Sequence, residues 1–375
     1  MIYLDYSATT PTNKEVLNTF VKVSNDFIGN PNSLHKLGIE SKKIIDSATE
    51  QIKKILNVDH EVIYTSGASE SNNMALKGIA MRYHNRGNHI ITTNFEHSSI
   101  VAPLNHLQKQ GFKVDFVTTD EYGRVDIGAL EKLINQETIL VSIGAVNSEI
   151  GIEQPIEKIA TLLKKYPNVF FHVDATQAIG KININYQDVD LISMSAHKIY
   201  GIKGVGMLLC KNGVEIEPLI HGGKSTTKYR SGTPAPALSV SLAKALRLIH
   251  EDFNYKYNQV AELNAYLVKE LSKVEGISIN HNQYTIPHIL NISVLGIKPE
   301  TFQHALEERD IYISTQTACS SGSGISNSVL AFTKDEAKAR SSVRISLSYL
   351  TTKDEIDILI QEIKNTKEQL SLKCN

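Results

Sequence analysis

Two residues whose types could do chemistry together, Asp174 and Lys198, each follow an apolar run. The run from Val169 to Val173 leads into Asp174, and the run from Leu191 to Ala196 leads through His197 into Lys198. Both runs predict buried strands with a polar group at the carboxyl end. Ligands of open α/β sheets bind at that edge, so the acid and the amine could reach one bound molecule.

A lysine and an aspartate placed in this way suggest pyridoxal 5'-phosphate as the ligand. The amine of Lys198 would form a Schiff base with the cofactor aldehyde. The carboxylate of Asp174 would keep the ring nitrogen protonated, which makes the ring an electron sink. On these residues alone an alternative stays open, in which Asp174 caps a turn and Lys198 is a solvated surface cation.

Longer motifs around the two residues resemble a known family. The segments SAHK at 195–198 and HVDATQ at 172–177 resemble the class V aminotransferase group of fold-type I enzymes, and most closely its cysteine desulfurases. YLDYSATTP at 3–11 and GNPNS at 29–33 extend the resemblance, which covers nearly the whole chain. It implies a pyridoxal phosphate enzyme that converts L-cysteine to L-alanine.

Composition indicates an ordinary soluble protein. The chain has 375 residues, 41% of them hydrophobic and 21% charged, and its length favours two domains. Its formal net charge is -1 and no run of lysine or arginine stands out, so direct nucleic-acid binding is not indicated. No signal peptide and no apolar run of about 18 residues is present, so we expect a cytoplasmic protein without a membrane anchor.

The order of apolar runs predicts an α/β fold. Strands alternate with helices through the first two thirds of the chain, which favours a mostly parallel, seven-stranded-type sheet covered by helices. We expect residues 1–250 to form this large, cofactor-binding domain. Residues 251–375 would form a smaller α+β domain that carries the cysteine loop, and residues 1–15 could pack against it.

A strand-to-helix turn at 66–71 is a candidate phosphate site. It follows a strand at Glu61–Thr65 and places Ala68 and Ser69 at or near a helix N-cap, where unpaired amides and the helix dipole suit an anion. It is not a P-loop, since the Gly-Lys-Ser/Thr ending is missing. In the resembling enzymes this segment contacts the phosphate, with threonine more usual where Ser69 stands.

The resemblance implies further cofactor contacts. Ser195 and His197, which flank a strand end beside Lys198, are candidate phosphate ligands. Thr233 matches a threonine that contacts the phosphate of the partner subunit, which implies a homodimer; the alternative is a structural turn. The glycines Gly201, Gly204 and Gly206 lack dinucleotide-loop spacing and are interpreted as close backbone packing.

Other residues are assigned roles by the same resemblance. His97 would stack on the pyridoxal ring and move protons around the substrate and a thiol. Asn147 would contact the ring hydroxyl or the substrate carboxylate, and Gln177 would donate a hydrogen bond to the phenolate oxygen of the cofactor. Arg344, on an alternating strand at Ser342–Ser346, would bind the substrate carboxylate through its guanidinium fork, with a surface ion pair as the alternative.

The three cysteines differ in setting. Cys210 ends an apolar run, where a buried thiol is expected, and Cys374 lies near the C-terminus. Cys319 lies in a small, polar loop, TQTACSSGSG at 315–324. No spacing suggests a disulfide framework or a zinc site, no His-Glu-x-x-His occurs, and no metal is assigned.

The implied function depends on Cys319. In the resembling enzymes the lysine removes the α-proton of cysteine, and the loop thiolate takes the sulfur as a persulfide. The chain has Thr-Gln-Thr-Ala-Cys at 315–319 where the commonest wording is Ser-Gly-Ser-Ala-Cys. Several of the resembling desulfurases with divergent loops serve one dedicated protein acceptor, such as a tRNA thiolation sulfurtransferase, and the resemblance implies such an acceptor here; an iron–sulfur scaffold is the alternative acceptor.

Two other function classes stay open. A selenocysteine lyase or an aminotransferase could use the same fold, although an aminotransferase would not require Cys319. A non-catalytic binding protein is disfavoured because the residues needed for catalysis all occur together: Asp174, Gln177, Lys198, Cys319 and Arg344.

Overall fold

The computed structural model describes residues 1–223, 225–315 and 324–373. A seven-stranded sheet forms its centre, in the order β2-β8-β7-β6-β5-β3-β4. The neighbours from β7 through β4 are parallel, and β8 is antiparallel to both β2 and β7. The predicted mostly parallel sheet is thus confirmed. Its strands are β2 (His60–Thr65), β3 (His89–Thr92), β4 (Lys113–Phe116), β5 (Thr138–Gly144), β6 (Phe170–Asp174), β7 (Leu191–Ser195) and β8 (Gly206–Lys211).

Helices cover the sheet and explain why its central strands are apolar throughout. Every residue of β7 is buried, as expected for a parallel strand with helices on both faces. One of these helices, α3, packs against β5 through β8, while α7 packs against α1 and α2. The helices of this region are α1 (Lys14–Asp26), α2 (Lys36–Leu56), α3 (Ala68–Tyr83), α4 (Ser98–Lys109), α5 (Ile127–Leu133), α6 (Ile156–Leu163) and α7 (Pro236–His250).

A second, smaller sheet is antiparallel and has the strand order β12-β10-β9. It has a hydrophobic core of its own, with Phe302 and Leu306 at its centre and no exposure of either side chain. The division at residue 250 stays a prediction. The elements after it are α8 (Phe253–Leu271), β9 (Ile277–Ile279), β10 (Ile289–Val294), α9 (Pro299–Glu307), β11 (Ile311–Tyr312), α10 (Asn327–Thr333), α11 (Glu336–Arg340), β12 (Ser342–Ser346) and α12 (Lys353–Lys373).

The N-terminal segment joins this second core. β1 (Ile2–Tyr3) pairs in parallel with β11, and Ile2 and Leu4 are buried among the residues of the small sheet. The chain then crosses to the large sheet, where Thr10 donates hydrogen bonds to the carbonyl of His197 from its amide (2.9 Å) and hydroxyl (3.0 Å). Within the described ranges, no helix is long and apolar enough to cross a membrane.

Candidate active site

A cavity of 440 Å³ opens at the carboxyl ends of β3, β5, β6 and β7, between the large sheet and β12. This is the edge at which the sequence predicts a ligand. We call it the main cavity. Of the predicted site residues, those that line it are Ala68, Ser69, His97, Asp174, Gln177, Ser195, His197, Lys198 and Arg344.

Asp174, the last residue of β6, is held by two donors. Its Oδ2 accepts from Asn72 Nδ2 at 2.8 Å and its Oδ1 accepts from the Thr176 amide at 3.0 Å. Asn72 is a site residue that sequence reasoning missed. Asn72 is a polar residue of α3 whose side chain is fully buried in the folded chain, and a buried polar group needs a partner.

Lys198 ends the short 3-10 turn that follows β7. Its Nζ donates to the carbonyls of Ser7 and Ala8, the latter at 2.8 Å. Burial lowers the pKa of this amine to about 8; the Arg344 charge adds to the decrease, and Asp5 and Asp174 oppose it. A lowered pKa increases the unprotonated fraction, which is the nucleophilic and basic form of a lysine.

His97 is the N-cap of α4. Its Nδ1 accepts from the Ser99 amide at 3.1 Å and lies 2.8 Å from Ser99 Oγ. Because an amide can only donate, Nδ1 is an acceptor and the neutral ring carries its proton on Nε2. Burial lowers the pKa of His97, so this neutral form is favoured. Asn72 also donates to Ser99 Oγ at 2.9 Å, which connects His97 to Asp174.

Glu96 is a second residue that sequence reasoning missed. Its carboxylate accepts from Thr93 Oγ1 at 2.7 Å and from the Gly144 amide at 3.0 Å. Burial raises its pKa to about 7, and the charge of Asp174 acts in the same direction. A carboxyl group that titrates near neutrality beside a cavity is a candidate proton carrier. Its only sequence signal is its place immediately before His97.

Comparisons with known proteins show the family to which the chain belongs. The family model described as class-V aminotransferase matches residues 2–359. The chain belongs to the class-V aminotransferase family. It is 39% identical over 376 residues to the cysteine desulfurase IscS of Clostridium botulinum (strain Kyoto / Type A2), with 98% of this chain and 94% of the relative covered. It is also 39% identical over 372 residues to the mitochondrial cysteine desulfurase of Saccharomyces cerevisiae, with 97% and 74% covered.

Solved structures show the same family relationship. A structure described as a NifS-like protein superimposes with a TM-score of 0.91 at 36% identity, covering 99% of each chain. Another, described as SspA in complex with cysteine, gives a TM-score of 0.82 at 31% identity, covering 94% of this chain and all of the other. The architecture of the large and small sheets is therefore that of class-V aminotransferases.

The class-V aminotransferase family implies pyridoxal phosphate, and the described residues fit it. The main cavity has the volume of a small-molecule site, which is about 300–1,000 Å³. It presents an acid, Asp174, and an amine of lowered pKa, Lys198. The hydroxyl of Thr176, which lines the cavity, is buried without a hydrogen-bond partner among the described residues. Such an orphaned group is expected where a polar ligand belongs.

The first turn of α3 lies at the end of the cavity that would take the phosphate. Gly67 is its N-cap and has no capping side chain, so amides of this turn remain for an anion. Ser69 is exposed in this turn. The Ala68 amide donates to Ser195 Oγ at 2.7 Å, so Ser195 positions the turn. Nδ1 of His197 lies 3.1 Å from Thr9 Oγ1. The phosphate roles of these residues stay predictions.

Glycine residues allow close packing of the backbone near the cavity, including that of β8 against the start of α3. A Cβ at Gly206 would lie 2.6 Å from Gly67 Cα, and a Cβ at Gly201 would lie 2.7 Å from Ala196 Cβ. Close packing is confirmed at these two positions. It is wrong for Gly204, where a Cβ would meet nothing within 4 Å; there the backbone has a φ of 84°, which glycine adopts without strain.

Gln177 is oriented from behind by Lys181, which sequence reasoning missed. Lys181 Nζ donates to Gln177 Oε1, and Gln177 Nε2 donates to the Ser7 carbonyl at 2.9 Å. The amide group of Gln177 therefore turns its donor side toward Ser7. Burial lowers the pKa of Lys181 well below its usual value, and the charges of Lys198 and Arg344 act in the same direction.

Arg344 is buried, with 4% of its side chain exposed, so the surface ion pair considered as an alternative is wrong. Its strand, β12, has the predicted bounds, and both of its faces are buried although polar and apolar residues alternate along it. The guanidinium donates to Asp5 Oδ1 at 2.7 Å and to the Ser148 carbonyl at 2.8 Å. Its Nε has no hydrogen-bond partner among the described residues.

Asn147 lies beside the main cavity with its side chain engaged elsewhere. Its Nδ2 donates to the Phe95 carbonyl at 2.8 Å and to Ser328 Oγ at 3.2 Å. Its Oδ1 accepts from the amides of Glu149 (2.9 Å) and Ile150 (2.8 Å). These contacts give Asn147 a structural role at the end of β5, and its predicted contact with cofactor or substrate stays untested.

The two remaining predicted residues are Thr233 and Cys319. Thr233 lines a separate pocket with Arg230 and Ser225. Cys319 lies outside the described residues. In the part of the chain that is described, no three His, Cys, Asp or Glu side chains converge in a way that could hold a metal ion.

Proposed function

We propose that this chain is a pyridoxal phosphate-dependent cysteine desulfurase that converts L-cysteine to L-alanine and receives the sulfur as a persulfide on Cys319. The observation that carries the proposal is the meeting of Asp174, Lys198 and Arg344 around one cavity. The relatives named cysteine desulfurase support it. So does the related structure described as a complex with cysteine.

When bound, pyridoxal phosphate supplies a ring that withdraws electrons from the α-carbon of an amino acid. Asp174, oriented by Asn72 and by the Thr176 amide, would hold a proton at the ring nitrogen. Lys198 Nζ is the atom that would bond the cofactor and later accept the α-proton. Its lowered pKa serves both tasks, because each needs an unprotonated amine.

Substrate recognition is assigned to Arg344. A buried arginine fork with an idle Nε suits a carboxylate, since charge-assisted hydrogen bonds are strong where water is excluded. His97 acts at the other end of the substrate. Its neutral ring donates from Nε2, and a donor at this place would stabilise a thiolate at neutral pH, where free cysteine is mostly protonated.

For the sulfur acceptor we propose a protein of the tRNA thiolation type, with an iron–sulfur scaffold as the second candidate. The support is the divergent wording of the loop at 315–319. An assay would load the persulfide with labelled cysteine and present purified acceptors of each class. Transfer to a tRNA thiolation sulfurtransferase supports the first candidate, and transfer to a scaffold alone contradicts it.

We also propose a homodimer. Thr233 lines a pocket separate from the main cavity, as expected of a residue that serves the site of a partner subunit. Apolar side chains around the start of α2 are exposed: Leu34 by 94% and Ile28 by 77%. Surface of this kind commonly marks an interface. Light scattering should give twice the 41.6 kDa of one chain, and a monomer with bound cofactor would contradict the proposal.

The experiment that tests the function measures alanine and sulfide released from L-cysteine under reducing conditions. Cys319→Ala should abolish alanine formation. The matched control is Cys210→Ala, because burial raises the pKa of that thiol to about 12 and keeps it inert. Activity that survives Cys319→Ala contradicts the persulfide mechanism. If no alanine appears although the cofactor is bound, selenocysteine and other amino acids become the substrates to test.

A further inference from the structure

The ion pair between Asp5 and Arg344 lies inside the main cavity. Arg344 Nη2 donates to Asp5 Oδ1 at 2.7 Å, and both side chains line the cavity together with Lys198. Asp5 is 21% exposed and Arg344 is 4% exposed, so the pair is largely shielded from water. In such surroundings a pair interacts more strongly than at a surface, because solvent screens it little.

Main-chain contacts fix the backbone of both residues of this ion pair. Arg344 is in β12 and exchanges main-chain hydrogen bonds with Ser314, at 2.7 and 3.1 Å. Asp5 forms a bridge with Ser346 two residues further along the same strand. The main chain therefore places the Asp5 side chain beside the guanidinium, while the carboxylate itself is attached through rotatable bonds and can leave.

This contact occupies the group to which the proposed function assigns the substrate carboxylate. Two carboxylates at one buried guanidinium would repel each other. We propose that Asp5 is a resident competitor, whose carboxylate occupies the carboxylate subsite on Arg344 until the carboxylate of an amino acid displaces it. This inference rests on the proposed function of Arg344.

A physical reason makes such a competitor useful. A buried guanidinium that loses the carboxylate paired with it is left as an uncompensated charge, which is strongly destabilising. Exchange of one carboxylate for another keeps Arg344 paired before binding, during turnover and after product release. The idle Nε gives the incoming carboxylate a second donor that Asp5 does not use. Amino acids then bind more weakly and leave more readily than at an unopposed arginine.

The test compares two ligands on the holoenzyme by calorimetry. L-Alanine carries the carboxylate, and L-alaninamide has the same amine and side chain without that charge. We expect Asp5→Asn to bind L-alanine about tenfold more tightly than the natural protein, equivalent to about 1.4 kcal/mol. Binding of L-alaninamide should change by less than about twofold. The control is Asp310→Asn, which alters an exposed carboxylate near the N-terminus, outside the cavity.

Unchanged or weaker L-alanine binding in Asp5→Asn overturns the inference, since it would mean that Asp5 only holds Arg344 in place. If that variant does not fold, the crystal structure of the natural holoenzyme with L-alanine decides. There Asp5 Oδ1 should lie beyond hydrogen-bond distance of Arg344 Nη2, and an intact ion pair overturns the inference.

Failure of the carboxylate-binding role of Arg344 can be distinguished from failure of the competitor role of Asp5. If the natural protein does not distinguish L-alanine from L-alaninamide and Arg344→Gln changes neither affinity, the assigned role of Arg344 fails and the competitor inference fails with it. If the natural protein prefers L-alanine, loses that preference in Arg344→Gln and keeps its affinity in Asp5→Asn, only the competitor inference is overturned.

Discussion

Two cavities of different character meet at Lys198. The main cavity, 440 Å³, is lined by groups of both signs of charge: the acids Asp5, Glu96 and Asp174 and the bases Lys198 and Arg344. A second cavity behind it has only 20 Å³, room for about one water molecule. None of its described lining residues is a carboxylate; they include Tyr6, Lys181, Lys198, Tyr200, Lys256, Tyr257, His288 and Tyr349.

The difference shows what burial does with and without opposite charges. In the small cavity burial lowers the pKa of His288 to about 3 and that of Lys181 well below its usual value, so both favour the neutral form. In the main cavity carboxylates oppose the same effect at Lys198. A lysine such as Lys181 therefore packs and orients its neighbours, whereas Lys198 can react. Of the two cavities, only the main one has carboxylates among its described lining residues and space for a ligand.

Lys198→Ala should give the largest effect if the amine of the main cavity is the reactive one. We expect alanine release to fall by about 10⁴-fold, because both covalent attachment and proton transfer are lost. Borohydride treatment followed by mass spectrometry should find cofactor on the Lys198 peptide of the natural protein. The exposed Lys203→Ala is the matched control, and cofactor fixed elsewhere in Lys198→Ala would contradict the assignment.

Asp174→Asn should give the next largest effect. The amide keeps the size of the side chain and loses the charge that holds a proton at the ring nitrogen, so we expect kcat to fall by about 10³-fold. Asn72→Ala should cost less, because it removes only one donor to Asp174. The measurement is kcat with cofactor content determined in parallel. Full activity in Asp174→Asn would show that the reaction does not need the negative charge of Asp174.

Glu96→Gln should flatten the pH dependence of stability. The folded-state pKa of Glu96 is about 7 against a usual 4.5, so the folded protein binds more protons between these values and loses stability as pH rises through them. The expected loss is about 3 kcal/mol. Denaturant unfolding at pH 5 and pH 8 measures it, with the exposed Glu15→Gln as control. An equal pH dependence in Glu96→Gln would contradict the raised pKa.

Lys181→Met should have the smallest effect. Lys181 lines the small cavity and acts on the main cavity only by orienting Gln177. Methionine keeps the volume and removes the donor to Gln177 Oε1, so we expect kcat/KM to fall about fivefold while the free energy of unfolding is kept. Lys181→Arg keeps a donor and should recover part of the loss. A loss of 10²-fold or more would show that Lys181 takes part in the chemistry itself.

Residue types and their positions at strand ends were enough to predict that Asp174 and Lys198 share a site. Asp174 and Lys198 follow buried strands, and parallel strands bring their carboxyl ends to one edge, so their meeting follows from local pattern and topology. Asn72 and Lys181 could not be predicted, because their value depends on which atoms lie opposite them in the folded chain. Polar and apolar residues alternate along Ser342–Ser346, yet packing buries both faces of this strand and with them Arg344.

The N-terminal segment has a consequence for the order in which the protein is made. Asp5 contacts Arg344, 339 positions later in the chain, and β1 pairs with β11. Contacts so distant in sequence form late, since a large loop must close first. On the ribosome the large sheet can be complete while Asp5 still lacks its partner, and the substrate subsite assembles only after β12 has emerged. We therefore expect the enzyme to gain its substrate selectivity at the last stage of synthesis, after the large sheet has folded.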